Sequence, residues 1–279
     1  MSLTLDLTRI PSYPAPARLG IFVLTLLLLW LPFLVPIYWL VKNDQNLVSL
    51  LTLGILYIEF ICLLRFWTQK IYKSSNWLKQ YGLDLTRNNG GELLQGLSIG
   101  LLLCLSLFLL EAILGWVELK EISTFLVGVI AEGLLMSLLI GFAEELLFRG
   151  WLLTELQRDY LPVKAIWINA LVFACLHFLK PPEEILRSLP QFPALVLLGL
   201  TLVLARWSHS QRLGICIGIH GGLVWGYYII KVGKLLQYTG KAPLWLTGID
   251  GNPLAGVLGL LFLAILAFWM RTKVLTRKQ

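Results

Sequence analysis

A chain of 279 residues that is 57% hydrophobic and only 14% charged cannot solvate the surface of a soluble fold, for which roughly 25% charged residues are usual. The net charge of +7 would suit nucleic acid, yet no exposed stretch has the aromatic interleaving that single-strand binding needs. A nucleic-acid partner is therefore excluded, and the basic excess is assigned to the headgroups of a lipid bilayer.

Apolar blocks then follow one another, each near the roughly 18 residues needed to cross a hydrocarbon core. The first, between Arg18 and Lys42, carries no charge. It outruns a signal-peptide core and lacks a small-residue cleavage site, which predicts a retained helix. The second runs from about Leu47 to Phe66 around Glu59. The polar stretch from Thr68 to Gly91, with Tyr72, Trp77, Leu78 and Tyr81 among its lysines, predicts a helix lying on the membrane surface. A third block, Leu93 to Val117, contains Glu111, and a fourth, from Ile122 towards Arg149, contains Glu132. A block between Lys164 and Glu183 is broken only by Lys180 near its end, and charge-free blocks follow between Arg187 and Arg206, Arg212 and Lys231, and Asp250 and Arg271.

Uninterrupted blocks suit helices and not the alternating strands of a barrel. The predicted fold is all-α, a polytopic membrane bundle of about eight transmembrane helices in a single domain over residues 1–279. With an even number of crossings, Lys and Arg are more than twice as frequent on the side of the termini. The positive-inside rule then predicts both termini cytoplasmic. Cys62, Cys104, Cys175 and Cys216 all fall within apolar blocks, where free cysteine acts as a small hydrophobe.

Ionisable groups inside a span are costly and are functional candidates by default. Gly141-Phe142-Ala143-Glu144-Glu145-Leu146-Leu147-Phe148-Arg149-Gly150 ends the fourth block with adjacent carboxylates. Glu145 and Arg149 are four apart, in the favourable order for an ion pair on a helix. Glu144 points about 100° away from that pair, so it lacks a local cation and is the candidate base. A solvated helix end with one salt bridge is the bland alternative. His177, in Phe173-Ala174-Cys175-Leu176-His177, and His220, within Gly218-Ile219-His220-Gly221-Gly222, lie in apolar blocks, whereas His209 sits in the polar loop Ser208-His209-Ser210-Gln211. A lone buried histidine is more often a packing residue than a catalyst, but two of the chain's three lie in spans.

Spacing supplies geometry. The turn Asp159-Tyr160-Leu161-Pro162 reverses the chain, and Glu144 and His177 lie symmetrically about its centre, which puts them at one level in an antiparallel hairpin. The glycines beside His220 allow a helix or a substrate backbone to approach closely. The charge edges nevertheless place Glu144 near one face of the membrane and His177 near the other.

The combination Glu-Glu-x-x-x-Arg, Phe-x-x-x-His and a later His on a glycine-flanked helix resembles the CAAX protease and bacteriocin-processing (Abi) family, which includes the type II CAAX prenyl endopeptidases. The resemblance runs from about Phe142 to Trp225, within a catalytic core at about 122–232. It implies an intramembrane endopeptidase acting on a membrane protein, a lipidated peptide or a leader peptide. By that resemblance Glu144 and His177 activate water, Glu145 and Arg149 support the site, and His220 stabilises the oxyanion. One departure is visible: the family places asparagine four residues after this histidine, where this chain has Val224. Trp225, Asn169 or a backbone amide near Gly221 and Gly222 would have to replace it; otherwise the oxyanion is less well held, or the chain is a noncatalytic scaffold or chaperone with the same polar cluster. No cofactor is certain. Zinc or another divalent metal on Glu144, His177 and His220 is the alternative to a metal-free water, although no His-Glu-x-x-His helix is present. A transporter is disfavoured because no repeated halves are found, and a Cys175 or Cys216 nucleophile because nothing nearby would lower its pKa.

Overall fold

The computed structural model describes residues 7–121 and 124–277, and eight apolar helices account for most of them. They are α1 (Ala15–Val41), α2 (Gln45–Phe66), α3 (Arg87–Ile113), α4 (Leu126–Glu145), α5 (Pro162–Leu176), α6 (Phe192–Ser208), α7 (Gly214–Val232) and α8 (Val257–Thr276). Seven helical stretches among the described residues are long and apolar enough to cross a membrane. The fold is therefore a polytopic all-α membrane bundle. The exception is α5, whose 15 residues rise only about 22 Å against a hydrocarbon core of roughly 30 Å.

Local chemistry sets the helix ends. Asp44 caps α2 by accepting the Leu47 N–H at 3.0 Å, and Thr86 caps α3 by accepting from Asn89, each satisfying a donor that a helix start leaves open. Pro162 opens α5, where its missing N–H costs nothing. Two prolines, Pro32 and Pro36, lie inside α1. Between Thr68 and Gly91 the expected surface helix is absent. A π turn at Trp67–Ile71 and a one-turn helix at Trp77–Gln80 stand there instead, because the stretch has too few apolar positions at helical spacing to bury a face.

The chain divides into two compact units. The first comprises residues 1–80 and 154–160, with α1 and α2. Its polar centre is Arg18, only 2% exposed, which donates to Glu155 at 3.0 Å and to Asp159 at 3.2 Å. Tyr72 donates its hydroxyl to the same Glu155 carboxylate at 2.6 Å, and the Arg158 guanidinium stacks on the Tyr72 ring. The carboxylate neighbour and burial together raise the Tyr72 phenol to about 12, burial being the larger cause.

The second unit, residues 81–153 and 161–279, is built around α7. A Cβ on Gly96 or Gly100 of α3 would overlap the carbonyls of Ile215 and Ile219, and one on Gly218 or Gly222 of α7 would overlap those of Leu93 and Leu97. The two helices thus meet backbone to backbone along a seam of small residues, the arrangement that lets apolar helices associate in lipid. At the entry to that seam Arg212 forks onto the Glu92 carboxylate. A second face of α7 lies on α4, where Gly141 faces the Ile217 carbonyl and Gly221 the Ser137 carbonyl. Outside the helices, β1 (Val117–Leu119) pairs antiparallel with β2 (Leu236–Tyr238), with Glu118 opposite Gln237.

Candidate functional site

Two helix ends and the interior of a third helix deliver the polar residues of the second unit to one place. Glu144 and Glu145 close α4, and the following turns, Leu146–Leu152, widen into a π helix. The π geometry is frequent at functional sites because it re-aims the side chains that follow. Here it buries Phe148, Arg149 and Gly150 together. His177 is the C-cap of α5, and His220 sits mid-way along α7 in its glycine-lined contact with α3 and α4.

Glu145 is wholly buried and bridges two partners. Its Oε1 accepts from Arg149 Nη1 at 2.9 Å and from His220 Nδ1 at 2.9 Å. Arg149, also wholly buried, reaches the Gly199 carbonyl of α6 at 3.3 Å and lies 4.2 Å from the centre of the Phe173 ring. An ion pair and a cation–π contact thus compensate a charge that burial alone would make prohibitive. The same Phe173 ring packs edge-on to His177 at 4.5 Å, so the phenylalanine of the Phe-x-x-x-His motif is the spacer between the buried cation and the histidine.

Hydrogen bonds fix both imidazoles. His177 Nδ1 lies 2.8 Å from the Phe173 carbonyl. A carbonyl only accepts, so Nδ1 carries the proton and Nε2 is left free. His220 Nδ1 donates to Glu145 in the same way. Both Nε2 atoms then face Glu144, at 3.8 Å for His177 and 3.9 Å for His220. Glu144 Oε2 is buried and accepts no hydrogen bond among the described residues. Separations of 3.8 to 3.9 Å are too long for direct hydrogen bonds and suit a water shared by the carboxylate and the two rings.

These three groups line a cavity of about 280 Å³ that also touches α3, α6 and α8. Val224 faces this cavity, one turn beyond His220. Neither side chain expected to stand in for the absent asparagine does so. Trp225 Nε1 donates to the Ile130 carbonyl at 2.9 Å, and Asn169 Nδ2 donates to the Phe148 carbonyl at 2.8 Å. Asn169 serves to tie α5 to the π turn instead. His209 is held by the Ala205 carbonyl at 2.9 Å and does not line the cavity. Three polar lining residues, Gln191, Asn252 and Tyr227, were not anticipated. Tyr227 lies two turns beyond His220 on the same face of α7, a spacing that could have found it, whereas Gln191 and Asn252 come from short segments between helices whose position depends on tertiary packing.

Holding a zinc ion would require Glu144, His177 and His220 to draw closer together than they stand here. Tetrahedral ligands at roughly 2.0 to 2.1 Å stand about 3.4 Å from one another, closer than Glu144 is to either ring. Among the described residues no cluster of His, Cys, Asp and Glu is spaced to hold a metal.

Compared with known proteins, residues 126–226 match the family model described as type II CAAX prenyl endopeptidase Rce1-like. No curated protein and no solved structure matches the chain.

Proposed function

We propose, from the match of residues 126–226 to the type II CAAX prenyl endopeptidase Rce1-like family model, that this multi-pass membrane protein hydrolyses a peptide bond of a membrane-associated or lipidated protein or leader peptide. Glu144, with His177 Nε2, takes a proton from water. The resulting hydroxide adds to the scissile carbonyl, and His220, acting as the imidazolium with Nδ1–H donated to Glu145, offers its second proton, Nε2–H, to the oxyanion. Glu144 then returns the proton to the leaving amine as the C–N bond breaks. Glu145 and Arg149 act as positioning residues behind His220. The observation that carries this reading is the convergence of Glu144 Oε2 and the two Nε2 atoms, 3.8 and 3.9 Å apart, in one cavity. An oriented donor to the oxyanion contributes about 3 kcal/mol in other enzymes. No step is assigned to a metal. The excess of basic residues on the side of the termini supports a cytoplasmic placement of both ends.

Purified protein in detergent should cleave peptides of a membrane extract, read by mass spectrometry before and after addition. Glu144→Gln, His177→Ala and His220→Ala should each lose nearly all of that cleavage while keeping the wild-type melting curve. Wild-type cleavage by all three variants would refute the assignment.

One observation favours a second reading, a noncatalytic scaffold. The position for an extra oxyanion donor is Val224, and both nearby replacements are bonded elsewhere. On that reading no peptide is cut by any form, and the substitutions change only what the protein retains in a pull-down.

A further inference from the structure

The π turn at Leu146–Leu152 holds its shape only if its backbone is satisfied. Its last bond of five-residue spacing runs from the Leu153 N–H to the Phe148 carbonyl, and regular α geometry resumes at Leu153. Returning from five-residue to four-residue spacing passes over one carbonyl. By that count it is the carbonyl of Arg149, the residue after Phe148. A buried carbonyl without a donor is costly, so the turn reverts to regular helix unless another part of the chain supplies one.

Arg206 supplies it. This side chain of α6 is only 3% exposed, and its Nη1 donates to the Arg149 carbonyl. Its Nε donates to the Gln211 carbonyl at 3.2 Å, in the turn between α6 and α7 where Ser210 and Gln211 both take positive φ. One guanidinium thus joins the π turn to the start of the helix that carries His220. Asn169 adds a second side-chain donor at the Phe148 carbonyl, but that carbonyl already holds the Leu153 N–H. A regular turn in place of the π turn would rotate the chain beyond it by about 100°, the angle of one residue, and Arg149 within it by part of that angle. Arg149 Nη1 would then draw away from Glu145 Oε1, which it meets at 2.9 Å. The same oxygen holds His220 Nδ1.

We infer that Arg206 is a positioning residue of the site: by taking the carbonyl that the π turn passes over, it holds the register that aims Arg149 at Glu145, and so fixes the carboxylate that orients His220. Its bearing on chemistry rests on the hydrolase reading above, whereas the register does not.

Arg206→Gln is the chief variant. Its amide nitrogen lies about where Arg206 Nε lies, so it still serves the Gln211 carbonyl and falls short of the Arg149 carbonyl. Arg206→Met, of similar length without a donor, replaces it if that variant does not fold, and Arg206→Lys keeps a charged donor of nearly full reach. The first readout needs no substrate. SDS titration measures how far Glu145→Gln and Arg149→Met depart from additivity in each background. That coupling, about thirtyfold or more in the unfolding constant with Arg206 in place, should fall below about tenfold with Arg206→Gln and stay above it with Arg206→Lys. The second readout is kinetic, on a synthetic copy of a peptide that wild type cuts in the membrane extract. Arg206→Gln should lose about a hundredfold in kcat with KM within about threefold, and Arg206→Lys should recover at least about tenfold of that loss. Coupling above about tenfold with Arg206→Gln or below it in wild type, a wild-type kcat in the Gln variant, or a loss that Lys does not recover would overturn the inference. If no form cuts any peptide while the coupling behaves as expected, the hydrolase reading alone falls.

Discussion

The buried triad of Glu145, Arg149 and His220 sets a quantitative expectation for stability. Glu145→Gln removes the anion facing an Arg149 that has no exposure. Breaking a buried pair by deleting one partner costs about 3 to 5 kcal/mol, most of it the uncompensated charge left behind. Arg149 would retain the Gly199 carbonyl at 3.3 Å and the Phe173 ring at 4.2 Å, and a desolvated cation–π contact offsets about 2 kcal/mol. The lower end, about 3 kcal/mol, is therefore expected. Arg149→Met leaves Glu145 with His220 as its one remaining partner and should cost a similar amount. The double variant removes both charges of the Glu145–Arg149 pair, so its loss should fall below the sum of the single losses by about 2 kcal/mol or more. Unfolding of all four proteins by SDS titration in mixed micelles measures this cycle. Single losses below about 1 kcal/mol, or additivity within about 0.5 kcal/mol, would refute the claim that this cluster is a coupled, desolvated unit.

Other expectations follow from the same geometry. Gly100→Ala or Gly218→Ala drives a Cβ into backbone of the facing helix and should cost about 1 to 3 kcal/mol, whereas Gly128→Ala, with nothing within 4 Å, should stabilise by up to about 1 kcal/mol; thermal melts in detergent compare them. Arg187→Ala breaks an ion pair whose partners are 67% and 54% exposed and should shift stability by less than about 1 kcal/mol, read by the same melts. Val224→Asn restores a donor one turn beyond His220 and should raise kcat by about tenfold or more, a gain that a noncatalytic scaffold cannot show. Dialysis against a chelator should leave hydrolysis unchanged; loss of activity restored by added zinc would put a metal back into the mechanism.

The helices were legible because each rests on a long apolar block with few or no charges, and in lipid that pattern has one solution. The end of α5 was not. Charge edges extended its span to Glu183, but the helix stops at Leu176 with His177 as its cap. The one charge in the turns before Pro181 and Pro182, Lys180, stands four residues beyond Leu176, so it does not mark where the helix stops. The Glu145–Arg149 pair and the 160.5 midpoint between Glu144 and His177 were readable because they depend on helical spacing and one turn. The His220 contact with Glu145 was not, since it joins residues 75 apart and depends on the glycine seam that sets the position of α7. The Arg18, Tyr72 and Glu155 cluster was missed for the same reason. Its members looked like ordinary boundary charges, and only their burial against one another distinguishes them.

The shortness of α5 also removes the assumption behind the apparent conflict between the depths of Glu144 and His177. That conflict assumed that both helices cross the whole membrane, so that residues near opposite charge edges lie near opposite faces. A 15-residue helix ends about 8 Å short of a full crossing, and its last residue caps into a turn whose polar atoms need partners inside the membrane. His177 Nδ1 meets part of that need through the Phe173 carbonyl, a group that would otherwise be left open at the helix end. The bond that satisfies the helix terminus is therefore the bond that fixes the imidazole with Nε2 towards Glu144. A longer, regular α5 would use the Phe173 carbonyl for its own backbone and free His177 to rotate. Early termination of this helix accordingly links fold to site geometry more directly than any single charge could, because it supplies the tautomer and the orientation of His177 together.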